Sequence, residues 1–335
     1  QAEDGIRDVE RSRGLGDVYK RQLMLKPGIQ QIFESNLPSE KLSGSYILTA
    51  KLKRKETTLS ENTYPFLVFN ERTLEVPQQE FTIIDPEGSL KPFLADRGLK
   101  FSEFTARDER DKPVLVSTAC AEEPKIFERF IYLFNFVKRG GVAVFLDPPI
   151  NRDEGLIRVL KSRFGIHVAP PEKNLLLRTG LFPFKLKSRL AYGHWVGVYH
   201  YVKKHPIFKG LPVKCFMGQE YQNVCAIETM SEFEGETIVG SLSWSYTMDY
   251  TGPKDVWWGT DLGILPYGRG KIILSTLRLI ENLGRDPVAD KILYNMVTFA
   301  ASISLKPSET DEEEQKSELK KYMKRFKNAK KAQKC

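Results

Sequence analysis

The chain has 335 residues, 41% of them hydrophobic and 28% charged, with a mean hydropathy of -0.36. That is enough apolar material to bury a core in two domains, and it excludes a chain disordered throughout. No apolar run approaches the roughly 20 residues that a bilayer-spanning helix needs, and the net charge of +8 is uneven, with ten Lys or Arg against six Asp or Glu in residues 306–335.

Residues 1–22, QAEDGIRDVERSRGLGDVYKRQ, differ in character from the rest of the chain, because Gly14 and Gly16 interrupt any helix and the apolar positions form no stripe. They resemble the peptide encoded by a sequencing-library adapter. The segment is therefore expected to be unstructured, with the native chain continuing upstream of Leu23.

Residues 23–77 are expected to hold strands. Tyr46, Leu48, Ala50 and Leu52 alternate with Ser45, Thr49, Lys51 and Lys53, the pattern of a half-buried antiparallel strand. A polar connector, Arg54 to Asn62, leads to a second strand at Tyr64 to Phe69. Two strands cannot make an independent sandwich, so this segment has the character of the end of a larger all-β domain.

From 78 to 304 the rhythm becomes α/β. A polar link over 78–112 carries a short helix, Leu90 to Leu99, and a strand at Lys100 to Phe104. Pro113 to Thr118 has the composition of a buried strand. Pro124 then opens a helix through Val137 with Ile126, Phe127, Phe130, Ile131 and Phe134 inward, Gly140-Gly141 ends it, and Val142 to Leu146 is another strand. Strand, helix and strand in this order require a parallel sheet with a right-handed crossover. A helix at Asp153 to Phe164 continues the layering, and short strands are expected at Trp195 to Tyr199, Thr237 to Leu242 and Asp255 to Gly259. Tyr267 to Gly270 makes a tight turn that releases the buried-type strand Lys271 to Thr276. After the connector Asn282 to Arg285, Asp286-Pro287 caps a last helix with Val288, Ile292, Leu293 and Met296 inward. In the tail, 305–335, Leu319, Tyr322, Met323 and Phe326 recur at helical spacing among lysines, behind the acidic run Asp311 to Glu314. Such a helix docks on its own domain, on a partner or on an anionic surface.

Two phrases carry a family resemblance. LPYGRGKIILSTLRLIENLGRDPVADKILYN, residues 265–295, resembles the end of family 2 glycoside hydrolases, the β-galactosidase and β-mannosidase group. SGSYILTAKL with LSENTYPFLVFN, residues 43–52 and 59–70, resembles the closing strands of the immunoglobulin-like β-sandwich that precedes the last domain of those proteins. The resemblance implies a flavodoxin-like, glutamine amidotransferase-like domain that acts architecturally, packing against the catalytic barrel of the same full-length protein or mediating homo-oligomer contacts. It also implies a periplasmic or secreted parent that hydrolyses glycosidic bonds in carbohydrate.

The chemistry of the chain itself is sparse. Asn70-Glu71 matches the family's acid/base dipeptide by letter but follows a sandwich strand, whereas the catalytic pair of the family stands on a (β/α)₈ barrel that this chain does not contain. At the place of an amidotransferase nucleophile, Cys120 lies just past a strand, yet Thr118-Ala119-Cys120-Ala121-Glu122 lacks the glycines of a strained elbow. The matching His-Pro-Glu motif survives as His205-Pro206-Ile207, without the carboxylate that would orient the imidazole. His205 is read as bonding backbone, with Ile207 and Leu211 as apolar anchors. His167, His194 and His200 have no ligand spacing, so no metal and no cofactor are expected. The glycines around Arg139 and Arg269 do not open helices and are not phosphate loops. Cys215 and Cys225 flank a short loop that an oxidising compartment could bridge, free thiols being the alternative. Contact with sugar rings is assigned to Trp257, Trp258, Trp195 and Tyr246, with Trp244 and Tyr250 near them. Nucleic acid is not an expected partner. The rival functions are a free-standing α/β hydrolase or amidase using Cys120 or Asp147 at the strand ends, and a surface or nucleic-acid binder acting through the basic tail.

Overall fold

A computed structural model of the protein describes residues 34, 36, 42–69, 74–106, 112–152, 154–165, 174–191, 198–246, 253–306, 308 and 311–334. Residues 1–22, Asn70-Glu71, His167, His194, Trp195 and Tyr250 lie outside the described residues.

The alternating segment forms β1 (Gly44–Arg54) and β2 (Thr57–Val68), an antiparallel hairpin with Gly44 opposite Val68. Its turn is only Lys55-Glu56, with Lys55 at φ 53°, so Thr57 to Asn62 belong to a strand and not to the expected connector. The expected burial also fails: Leu48 is 57% and Leu52 39% exposed, and Ile47 on the other face is 69% exposed. Alternation pairs the strands, but among the described residues no second layer covers them. Tyr46 stacks on Phe66 at 5.8 Å within the hairpin. The base of the hairpin lines a recess together with Leu74, Gly210 and Lys291.

The remaining strands are β3 (Phe81–Ile84), β4 (Phe101–Glu103), β5 (Val114–Val116), β6 (Val142–Phe145), β7 (Lys187–Leu190), β8 (Val198–Val202), β9 (Cys215–Phe216), β10 (Glu228–Ser231), β11 (Glu236–Tyr246), β12 (Pro253–Tyr267) and β13 (Gly270–Ser275). They make one mixed sheet. Its path is β4-β3-β5-β6-β13-β12-β11-β8-β9, with β10 joining β12 to β7. The pairs from β4 to β13 along this path are parallel, and the pairs from β13 to β9 are antiparallel. The polar link expected over 78–112 is thus corrected, since Phe81–Ile84 is a fully buried strand paired on both sides. Leu265 to Tyr267 end the long β12 and enter the glycine turn as strand.

Six helices among the described residues complete the α/β architecture: α1 (Lys91–Asp96), α2 (Pro124–Lys138), α3 (Glu154–Phe164), α4 (Leu175–Arg178), α5 (Pro287–Ile303) and α6 (Glu312–Lys334). The sheet is apolar on both faces, as a covered parallel sheet must be. On one face Phe81, Ile83, Leu115, Val142, Val144 and Ile273 pack under α1 and α5. On the other Ile84, Val116, Ala143, Phe145, Ile272 and Leu274 pack under α2 and α4. Phe127, Phe130, Phe134 and Phe136 of α2 are all buried, and each such ring contributes about 1.5–3 kcal/mol of burial.

The terminal unit obeys its local signals. Asp286 Oδ1 accepts from the amide of Val288 at 2.8 Å, Pro287 occupies the first turn, and α5 buries Val288, Ile292, Leu293 and Met296. At α6, Asp311 Oδ1 accepts from the amides of Glu313 (3.0 Å) and Glu314 (3.1 Å), capping the helix. Phe326 is buried against Phe127 with ring centroids 4.7 Å apart, and Leu319, Tyr322 and Met323 pack beside it. The tail helix is docked on its own chain. No helix among the described residues is long and apolar enough to cross a membrane.

Candidate functional site

Open α/β sheets place ligands beyond the carboxyl ends of their parallel strands. Here that rim holds Asp85 after β3, Thr118 and Cys120 after β5, and Asp147 after β6. Asp85 is spent on structure: its oxygens accept from the amides of Ser89 (3.1 Å), Leu90 (3.0 Å) and Lys91 (3.1 Å), fastening the start of α1.

Asp147 belongs to a polar cluster. Arg152, only 8% exposed, grips Glu228 with two nitrogens, Nε to Oε2 at 2.8 Å and Nη2 to Oε1 at 2.5 Å, and reaches Asp147 Oδ1 at 3.5 Å. Ser188 donates to Glu228 Oε2 at 2.7 Å and Thr118 to Asp147 Oδ2 at 3.3 Å. Surrounding protein pushes the Asp147 carboxyl up and Arg152 pulls it back, but the side chain is still 50% exposed, so water screens the effect. Burial lowers the Arg152 guanidinium, but Glu228 and then Asp147 outweigh that and hold it above its usual range. Both oxygens of Glu228 are occupied by donors. The cluster ties β10 and β7 to the rim as a bidentate ion pair does, through geometry more than net energy.

Cys120 is half-buried, and burial pushes its thiol up despite a backbone hydrogen bond at Glu122, the opposite of what a thiolate nucleophile needs. Its neighbours Ala119 and Ala121 pack on the α2 face of the sheet. His205 lies on the other face, where its ring meets Phe299 of α5 edge-on at 4.5 Å and its Nδ1 accepts from the amide of Ile207 at 3.3 Å. Burial lowers its pKa. The expected backbone role of His205 and the anchors Ile207 and Leu211 are as read from the sequence. Cys215 and Cys225 are free, and burial and then the charge of Asp261 raise the Cys225 thiol to about 12.

The structure also assembles a cluster that residue spacing does not reveal. His200 on β8, Ser241 on β11 and Asp261 on β12 meet on neighbouring strands. His200 Nδ1 lies 2.9 Å from Asp261 Oδ2, and Ser241 Oγ bonds Asp261 Oδ2 at 2.7 Å and His200 Nδ1 at 3.0 Å. A hydrolytic triad puts serine on Nε2 and the carboxylate on Nδ1. Here both partners share Nδ1, so the serine has no general base, and the cluster satisfies a carboxylate with no solvent exposure. Nothing in the sequence singles out these three among the polar residues of their strands. Among the described residues there is no group of three or more His, Cys, Asp or Glu that could hold a metal.

Of the aromatic residues assigned to sugar contact, Trp257 and Trp258 point to opposite faces of β12, as extended chain requires. Trp258 is 72% exposed. Trp257 floors a recess of about 310 Å³ with Leu156, Val159, Ser188, Arg189 and Leu190, and the Arg189 guanidinium sits 5.9 Å from its ring centroid. Tyr246 pairs with Pro253 at the end of β11. Ser188 joins the recess to the Arg152 cluster.

The arrangement defines an α/β protein with an arginine–carboxylate cluster at its strand-end rim. Comparison with known families and with curated proteins finds no match. Among solved structures, the chain is similar to the cytoplasmic protein STM3548 of Salmonella typhimurium over 77% of its length and 96% of that chain, at 9% identity and a TM-score of 0.32. It is similar to the cytoplasmic protein STM1381 of Salmonella typhimurium LT2 over 78% and 98%, at 8% identity and a TM-score of 0.34. Neither likeness bears on function.

Proposed function

We propose that this chain is the C-terminal part of a family 2 glycoside hydrolase-like protein, in which it serves as a non-catalytic, architectural domain. The parallel strands, numbered among themselves, run second-first-third-fourth-fifth, which agrees with a flavodoxin-like, amidotransferase-like sheet. The hairpin β1–β2 fits the last strands of an immunoglobulin-like sandwich, and its uncovered apolar side chains suit packing against further chain. The observation that carries the reading is that no described contact joins Cys120 to His205: Ala119 and Ala121, which flank Cys120, pack on the α2 face of the sheet, whereas His205 packs on Phe299 on the α5 face. The domain keeps an amidotransferase-like frame without its chemistry. On this reading the partner is the catalytic barrel of the same protein, a homo-oligomer contact is a further role, carbohydrate meets Trp257 and Trp258, and the parent works in the periplasm or outside the cell.

The test has two arms. The genomic frame upstream of the Leu23 codon is expected to run into a (β/α)₈ barrel, and the protein extended by that frame to cleave aryl glycosides that the present chain leaves intact. A start codon directly before Leu23, or glycoside turnover by the present chain, defeats the proposal. The rival enzyme rests on Asp147, a carboxyl with a raised pKa at a strand end. Amidase or esterase turnover by the present chain, abolished in Asp147→Asn or Cys120→Ala, would favour it.

A further inference from the structure

The docked tail leaves one charged feature without a role. From Leu319 to Lys334, α6 carries eight Lys or Arg and no Asp or Glu. Lys320, Lys324, Lys327 and Lys331 recur at intervals of four, three and four, which aligns them in a single row about 4.5–6 Å apart along the axis. All four are exposed. Lys321 and Arg325 flank the row and lie over the Tyr322 ring, and Arg325 donates to the carbonyl of Thr179 at 2.9 Å, which fixes the helix's rotation. The carboxylates of this helix are gathered at its start, where Glu314 pairs with Lys138 at 2.9 Å and Glu312 with Lys316 at 3.1 Å. Among the described residues no carboxylate pairs with the four lysines of the row.

We propose that this row binds a linear anionic polysaccharide, one carrying a carboxylate or sulfate at intervals along a chain of sugar rings. The inference rests on the proposed glycosidase-associated function for its carbohydrate, and on the helix for its charge. A membrane surface is the poorer occupant, because an interfacial helix must offer its apolar side to lipid, and Leu319, Tyr322, Met323 and Phe326 are spent on α2 and α4. Duplex nucleic acid is poorer too. It presents a phosphate about every 1.7 Å of axis, whereas the row spaces its four charges about 4.5–6 Å apart, its basic neighbours Lys321 and Arg325 lie over the Tyr322 ring, and that ring packs on the body of the protein and does not stand free for a base to stack on. A polymer with one anion per ring or per pair of rings meets the row charge for charge.

The test is affinity electrophoresis of the whole chain through gels containing polygalacturonate, a sulfated galactan or neutral galactan, with a 20-base-pair DNA duplex and phosphatidylserine vesicles assayed in parallel by sedimentation. Retardation is expected in the two acidic gels at low salt, absent in the neutral gel and lost as salt rises. The triple variant Lys320→Gln/Lys324→Gln/Lys327→Gln, which keeps the docked face intact, is expected to bind at least about tenfold more weakly. Circular dichroism checks that its helix content is unchanged. Retardation unaffected by the triple variant overturns the proposal, as does binding to the duplex or the vesicles equal to or tighter than that to the acidic glycans. If acidic glycans bind through the row while the upstream frame encodes no barrel, the glycosidase-associated function fails and the binding row stands. A barrel upstream with no glycan binding by the row keeps that function and eliminates the binding row.

Discussion

Phe326→Ala is expected to release α6 from the body of the protein. The ring is 4% exposed and 4.7 Å from that of Phe127, so truncation removes a buried aromatic side chain and an aromatic pair, together about 3 kcal/mol. What remains is weaker: half-buried Leu319, Tyr322 and Met323, the Arg325 bond to Thr179, and the exposed Lys138–Glu314 pair. Undocked, a lysine-rich helix of this length has little tertiary support, so the loss should appear as local opening and not as global unfolding. About 3 kcal/mol multiplies the open population by roughly 100. Hydrogen exchange followed by mass spectrometry should show residues 312–334 losing protection while peptides from β5, β6 and β13 keep theirs, and trypsin should cut the tail first. Lys327→Ala, an exposed neighbour, is the control. Unchanged protection in α6 would refute the packing argument. Equal loss in α6 and the sheet would show that the tail opens only with the core.

Arg152→Met strips Glu228 of a bidentate partner and should cost about 3–5 kcal/mol in urea unfolding, with Glu228→Gln on the same background restoring most of it; no recovery would mean that Arg152 acts through packing. The raised Asp147 pKa means that the folded state favours the protonated carboxyl, so this group's stabilisation is present below 3.8 and lost as pH rises through its folded value, with a small amplitude because the side chain is half exposed. Asp147→Asn should therefore melt at or above the parent temperature at pH 7 and converge with it near about pH 3; a lower melting temperature at pH 7 would show Arg152's attraction outweighing burial. Gly270→Ala places a Cβ 2.1 Å from the Gly141 carbonyl oxygen and 2.2 Å from that of Val137, both backbone, so it should prevent soluble expression. Gly218→Ala meets only the movable Glu220 carboxylate and should shift the urea midpoint little.

Helices α2, α5 and α6 were legible because their starts are marked, whereas the four-residue α4 was not expected. Pro124, Asp286-Pro287 and the acidic run before α6 each supply a start, and the apolar rows within them are the buried ones. β3 was not legible: Phe81–Ile84 is four residues between polar stretches, too short for any period, and becomes strand because β4 and β5 pair with it on either side. The hairpin reverses the case, since alternation fixed its pairing but burial needs a second layer that alternation cannot supply. The site was harder. His200, Ser241 and Asp261 are joined only by register across three strands, and Arg152 reaches Glu228 from 76 residues away. Cys120 could be judged from its own sequence, because the missing glycines are local, but its remoteness from His205 needed the sheet.

The union of β6 with β13 has a consequence for how the protein is made. About 125 residues of chain separate the two strands, so a ribosome exposes β6 long before its neighbour exists. At ~5–20 residues per second the interval is on the order of ten seconds. Throughout it the nascent chain carries a fully apolar strand with one unpaired edge, a template for joining another copy. Translation speed and chaperone supply over this interval should therefore govern soluble yield, and slow passage through the stretch between β6 and β13 should lower it.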